Sequence, residues 1–498
     1  MDAKKSIVLV TIDCLRADHV GFMGYPRATT PFLDSLAAES LVFSAAIVAG
    51  APTYNSFPAI FASRYPLSLG RDVLGVAPGE PTLASVLKNS GYATAAFSAG
   101  NPYISPRFGY AQGFDVFRDF LDEEATPLVE ERRGTDPSPS WSSRVNRKLQ
   151  TWRPAMGPLR PVYDELYFRY CQRVTPVPKS LDELRRFPAA DVLVDYACEW
   201  LRSVGERPFL LWLHFMDPHS PYYPKEEALA LMHDEPVAPY QARHRNSYWN
   251  RTDLGPSRLM RHRDEVVTLY DAGIRWVDVH LSRLRDNLRA SNQWTNCILA
   301  VTADHGEEFL DHGSRYHPPS RLSEELIHVP LIIRAPGSTK GRVIQSPFST
   351  LHLAPTLLDA AETTVPREFQ GRSYWGKGDS DNSLAEIAIS ESVASCTNPF
   401  RREDRLGPRF LSVRESRFKM TLQFDPPAEK LYDLESDPGE QAPSAPGTHK
   451  TIRKLLLEHA HEHLRRSHAQ RDLKVRLRAS LRDLQLEWSG SFPRRSEI

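Results

Sequence analysis

Residues 6–14 read SIVLVTIDC and residues 297–306 read CILAVTADHG. Each is a continuous apolar run, rich in β-branched residues, that ends abruptly in acid: Asp13 in the first, Asp304-His305 in the second. An apolar run without alternation is the pattern of a strand buried on both faces, as in a parallel sheet. Comparable runs stand at 93–98 (ATAAFS), 209–215 (FLLWLHF) and 329–334 (VPLIIR). Helical patterns lie between them. Thr30-Pro31 opens PFLDSLAAESL with a capping hydroxyl and a first-turn proline. Residues 189–204 and 265–288 repeat their apolar positions with helical period. Strands alternating with helices predict an α/β fold whose sheet is covered on both sides.

Outside that rhythm lie three stretches. Residues 119–188, within a main domain of 1–385, are rich in proline and arginine and read as an insertion, part lid and part loop. From 386 to 450 the pattern turns to short β runs, as expected of a small antiparallel subdomain. Residues 451–498 read as a helical, basic tail, most simply a solvated amphipathic helix packed on the body.

Lysine plus arginine equals aspartate plus glutamate at 62 each, so no global charge favours nucleic acid or an anionic membrane. The five cysteines are scattered and never paired as CxxC, which excludes a disulfide scaffold or a cysteine zinc site of the usual spacing. That usage points to a reducing compartment. No apolar run nears the roughly 20 residues that cross a bilayer, and no cleavage site follows the first one. The expected location is cytoplasmic.

In open α/β sheets ligands bind beyond the carboxyl ends of the strands, where Asp13, Asp304 and His305 fall. Carboxylates and an imidazole converging there would hold one divalent cation, with Ca, Mg, Mn and Zn all suited to such donors. The alternative, that each caps a helix or joins a surface pair, fits Asp13 alone better than it fits the pair. Residues 50–66 (GAPTYNSFPAIFASRYP) carry no charge before Arg64 and place Thr53 and Ser56 at a helix start. A hydroxyl there, beside a metal, is a candidate nucleophile, although a simple N-cap role for Thr53 competes. His214 lies inside a strand run and reads as a core histidine. His219 follows that run between Pro218 and Pro221 and reads as functional. His312 and His317 stand in DHGSRYHPPS.

These residues carry a family resemblance. VTIDCLRAD, GYPRATTPFLDSLAAESLVFSAAIV, SRYPLSLG, LHFMDPHSPY, YDAGIRWVDVHLSRL, VTADHGEEFLDHG, HVPLIIRAPG, LHLAPTLLDAA and KLYDLESDPGEQ resemble, in order, the sulfatase-like branch of the alkaline phosphatase superfamily. The resemblance implies a mixed β-sheet sandwiched by helices and a smaller C-terminal antiparallel sheet. It also implies Asp13, Asp304 and His305 as metal ligands, and His219 against the substrate anion or leaving group. The departures matter as much. Counting back from Arg64-Tyr65-Pro66, the window in which sulfatases carry a cysteine or serine oxidised to formylglycine holds Thr53-Tyr54-Asn55-Ser56-Phe57. Threonine cannot become that aldehyde. Cys14 stands where the family has a second aspartate, and beside hard donors it is expected to be a poor ligand and nearly dispensable. Asn101 stands near the place of a family lysine and histidine, and His317 near that of another lysine. Both, with His312 behind them, are expected to bind substrate.

The pattern resembles the phosphoryl-transfer members of the superfamily, with threonine as nucleophile. The expected activity is metal-dependent hydrolysis, or transfer, of a phospho- or sulfo-ester through Thr53, the phosphoester favoured. The expected partner is an anionic ester, of glycan or lipid origin, with no nucleic acid. The alternative is a catalytically retired homologue that binds an anionic glycan or a protein partner.

Overall fold

The computed structural model describes residues 4–70, 73–121, 157–376, 387–394 and 396–467. Eight strands form the main sheet, in the order Arg342–Ile344, Leu41–Phe43, Leu331–Arg334, Cys297–Ala303, Ser6–Ile12, Phe209–Phe215, Ala93–Ser98, Val116–Arg118. The five strands from Cys297–Ala303 to Val116–Arg118 run parallel. Leu331–Arg334 is antiparallel to both of its neighbours, which makes the sheet mixed. Every residue of Ser6–Ile12, Phe209–Phe215 and Cys297–Ala303 is buried, as the unbroken apolar runs require of strands covered on both faces.

The long helix Arg263–Ala290 packs beside Ala190–Val204 on one side of the sheet. The helix Thr53–Ala62 is buried along its whole length on the other side, packing Phe57 and Phe61 onto Trp212. The helix that opens at Pro31 ends at Ala37, and Leu41 already lies in a strand; the other helix and strand boundaries fall within a residue or two of the sequence reading. The exception is 329–334, which divides at Pro330: His328–Val329 belongs to a separate three-stranded sheet and Leu331–Arg334 to the main one. Proline has no N–H for a sheet ladder, so the chain changes sheets there.

Near the C-terminus Ala388–Val393, Arg409–Arg414, Phe418–Phe424 and Pro427–Asp433 form an antiparallel four-stranded sheet. It joins the body where Glu391 N donates to the Ala49 carbonyl. Residues 450–467 are helical; the remainder of the expected basic tail lies outside the described residues. Of the expected insertion, 157–188 contains the helix Arg160–Val174, and 122–156 lies outside the described residues. No described helix is long and apolar enough to cross a membrane.

Candidate active site

Four adjacent parallel strands end on one edge of the sheet, and each delivers chemistry there. Ser6–Ile12 delivers Asp13 and Cys14. Cys297–Ala303 delivers Asp304 and His305, Phe209–Phe215 delivers His219, and Ala93–Ser98 is followed by Asn101. Asp13, Asp304 and His305 are completely buried, and Thr53 nearly so at 4% exposure. His305 Nε2 lies 3.8 Å from Asp13 Oδ1 and 3.5 Å from Asp304 Oδ2, and Thr53 Oγ1 is 3.0 Å from the same nitrogen. His305 Nδ1 is 2.7 Å from the Gly306 carbonyl. A carbonyl only accepts, so Nδ1 carries the proton and Nε2 presents its lone pair to Thr53 and the carboxylates. Gly306 is required for this turn: a Cβ there would stand 1.9 Å from the Glu325 carbonyl oxygen.

Asp13 is held from two further sides. Asn101 Nδ2 donates to its Oδ2 at 2.9 Å, and His214 Nε2 stands 3.4 Å from the same oxygen. Burial pushes the Asp13 carboxyl up, but the His214 contact and the nearby His219 and His305 outweigh it and hold it well below the usual range. Asp304 goes the other way, raised by burial and by the Asp13 charge. Cys14 takes a left-handed conformation with φ 63°, which costs a non-glycine residue roughly 1–2 kcal/mol. Tyr270 secures that turn: its hydroxyl donates to the Cys14 carbonyl at 2.7 Å and accepts from Arg16 N at 3.0 Å.

The residues fit a bound cation. Asp304 Oδ2 is buried without a hydrogen-bond partner. Among the described residues no lysine or arginine pairs with Asp13, Asp304 or Glu307, all of them completely buried. Uncompensated buried carboxylates are costly, and a divalent ion removes that cost.

The His219 and His317 rings are 5.4 Å apart, centroid to centroid, and His317 lies 4.6 Å from His305. Glu307 Oε2 accepts from His317 Nδ1 at 2.9 Å while its Oε1 accepts the Tyr222 hydroxyl at 2.5 Å. Burial alone would lower the His317 pKa, but Glu307 outweighs it and holds it above normal; burial lowers that of His219.

Two expected substrate-binding residues stand elsewhere or act otherwise. His312 is turned away, with Nδ1 2.9 Å from Glu325 Oε1 and Nε2 3.4 Å from the Glu440 carbonyl. Asn101 has both polar ends occupied, Nδ2 by Asp13 and Oδ1 by Tyr103 N at 3.0 Å, so it orients Asp13. Ser56 is buried with no hydrogen-bond partner for its hydroxyl. His214 is a core histidine as expected, yet its Nε2 borders the cluster. Glu307 and Tyr222 have no role in the sequence reading, although Glu307 lies in the same DHGEE run as Asp304 and His305.

Residues 5–363 match the sulfatase family model. The chain belongs to the sulfatase family. Residues 315–466 also match the family described as N-sulphoglucosamine sulphohydrolase, C-terminal. An uncharacterized sulfatase of Escherichia coli K12, YidJ, is 24% identical over 459 residues, 88% of this chain and 82% of that one. An arylsulfatase of Clostridium perfringens is 23% identical over 468 residues, 88% and 89% of the two chains. Among solved structures, one in complex with its substrate D-glucosamine-2-N,6-O-disulfate superposes with TM-score 0.67 at 17% identity, covering 94% of this chain and 98% of that one. The phosphonate monoester hydrolase of Agrobacterium radiobacter gives TM-score 0.64 at 18% identity, covering 94% and 96%. The sulfatase-like fold is therefore common to both, and it does not choose between sulfur and phosphorus.

Proposed function

We propose that this sulfatase-family protein is a metal-dependent ester hydrolase, or a transferase, that works through a covalent Thr53 intermediate and favours a phosphoester over a sulfate ester. The observation that carries the reading is the seat of Thr53. It opens a buried ten-residue helix, its hydroxyl is 3.0 Å from the unprotonated face of His305, and the carboxylates of Asp13 and Asp304 flank the same nitrogen.

Asp13, Asp304 and His305 would hold a divalent ion, which when bound lowers the pKa of a neighbouring hydroxyl and offsets the ester's charge. The chain's own groups do the rest. The helix N-terminus favours an anion at Thr53. Thr53 is buried, which limits the access of bulk water to its hydroxyl. Asn101 and His214 fix Asp13. His317, its pKa held up by Glu307, supplies positive character on the side where an oxygen departs, and His219 stands beside it. Threonine has no route to the hydrated aldehyde by which a formylglycine enzyme expels sulfate. A phosphothreonine, by contrast, is open to in-line attack at phosphorus, by water in a hydrolase or by an alcohol in a transferase.

Matched aryl phosphate monoester, phosphate diester and sulfate ester substrates, assayed with Ca, Mg, Mn and Zn, test this. The phosphorus esters should turn over faster and depend on Thr53. Faster sulfate release that survives Thr53→Ala would overturn it.

A further inference from the structure

Far from the strand-end chemistry, the helix Arg160–Val174 turns an apolar face to the outside. Leu159, Val162, Leu166, Tyr170 and Val174 recur at helical spacing, from 43% exposed at Tyr170 to 68% at Leu159, and Val177 just past the helix is exposed as well. Single exposed apolar residues are normal, but a contiguous stripe about 22 Å long, at 1.5 Å per residue, marks an interaction surface.

The stripe is held outward. Arg251 pairs with Glu165 at 2.7 Å and stacks over Phe168, 4.7 Å from its ring centre. Arg243 donates to the carbonyls of Gln172, Thr175 and Pro176 at the C-terminal end of the helix. These contacts clamp the opposite face onto the body, so the helix is not free to roll and bury its stripe.

The borders of the stripe point to what covers it. At about 100° per residue, Arg169 and Arg173 flank Leu166 on one edge. Tyr163 and Tyr167, their rings stacked 5.9 Å apart, line the other. Both arginines are exposed. The two acids of the helix turn inward: Asp164 is buried, and Glu165 is shared between Arg251 and Arg169. The chain as a whole is balanced in charge, whereas this face is apolar with a cationic border. Aliphatic side chains edged by arginine and tyrosine suit the boundary between acyl chains and anionic headgroups. A second copy suits the face less well. Antiparallel two-fold packing sets the same edge of each helix together, arginine against arginine.

We propose that this face seats the protein on an anionic lipid bilayer, lying on its surface without crossing it. A short stretch of chain links the seat to the strand-end site: Arg185 donates to Asp217 Oδ1 at 2.8 Å, and Phe187 meets His219 edge to face, 5.5 Å between ring centres. The docking itself does not rest on the Thr53 reading.

Flotation of the full chain with vesicles of phosphatidylcholine, alone or mixed with phosphatidylglycerol, tests this. Binding should require the anionic lipid and weaken as salt rises. The double variant Val162→Glu/Leu166→Glu should lose it. Arg169→Gln/Arg173→Gln should weaken it roughly 10–30-fold. Melting temperatures should stay unchanged in both, because all four side chains are exposed. Sedimentation of the same proteins without vesicles reads the rival occupant. No binding to the mixed vesicles, equal binding to neutral ones, or binding that survives the double glutamate variant overturns the proposal. So does a wild-type dimer that the glutamate variant dissociates, since a second copy would then cover the stripe.

Discussion

Where the body meets the C-terminal sheet, buried and part-buried carboxylates carry their own cations. Glu324 lies 3.1 Å from Arg414 and 3.2 Å from Lys419, and Lys419 is also 2.9 Å from Glu440. Glu391 is paired with Arg409 and with His463. At the strand ends, Asp13, Asp304 and Glu307 are completely buried, but their neighbours are imidazoles, an amide, a thiol and a phenol. The first region is electrically complete as the chain folds, whereas the second becomes complete only when something positive arrives from outside. The difference separates a structural ion-pair network from a binding site, although both read as charged residues amid apolar sequence.

The sharpest way to break the comparison is to swap the consequences of mutation. Thr53→Ala should lower kcat by a factor on the order of 10³ or more and leave the melting temperature nearly unchanged. Thr53→Ser should recover part of the rate. Lys419→Met should do the opposite: it strands Glu440, leaves Glu324 with Arg414 alone, and should cost about 3–5 kcal/mol in denaturant unfolding, with kcat per folded molecule unchanged. A Lys419 variant of full stability would mean that the seam is not held by its charges.

Acid offers a third contrast. Burial raises the Glu391 carboxyl, but Arg409 and His463 outweigh it and hold it at about 2 against an ordinary 4.5. A depressed folded-state pKa adds stability that is complete above about 4.5 and fades as pH falls through about 2, on the order of 3 kcal/mol. Urea titrations across that window should show the loss, and Glu391→Gln should flatten the slope. The smallest expected effect is at Asn101. Asn101→Ala frees one oxygen of Asp13 and should weaken metal binding about 10–100-fold, measured by competition with a chelator, without abolishing turnover at saturating metal.

Much of this was legible in the sequence for a physical reason. Strands buried on both faces must be apolar throughout, so SIVLVTI, FLLWLHF and CILAVT announced themselves, and so did the acids that terminate them. Asp13, Asp304 and His305 follow from position, because parallel strands end on one edge of a sheet, whereas Thr53 comes from the family register counted back from Arg64-Tyr65-Pro66. What position does not give is side-chain direction. His312 and His317 are five residues apart in one loop, yet one meets Glu325 and the other meets Glu307. Asn101 reads as a substrate contact until the structure shows Tyr103 and Asp13 occupying it.

The central claim is that Thr53 becomes covalently bound to the substrate's acid group. Acid quench of the enzyme during steady turnover of a phosphoester, followed by peptide mass spectrometry, tests it most directly. The account predicts a phosphoryl group on Thr53 that disappears once substrate is exhausted. A phosphoryl group on Ser56, or continued turnover with no modified peptide, would contradict it.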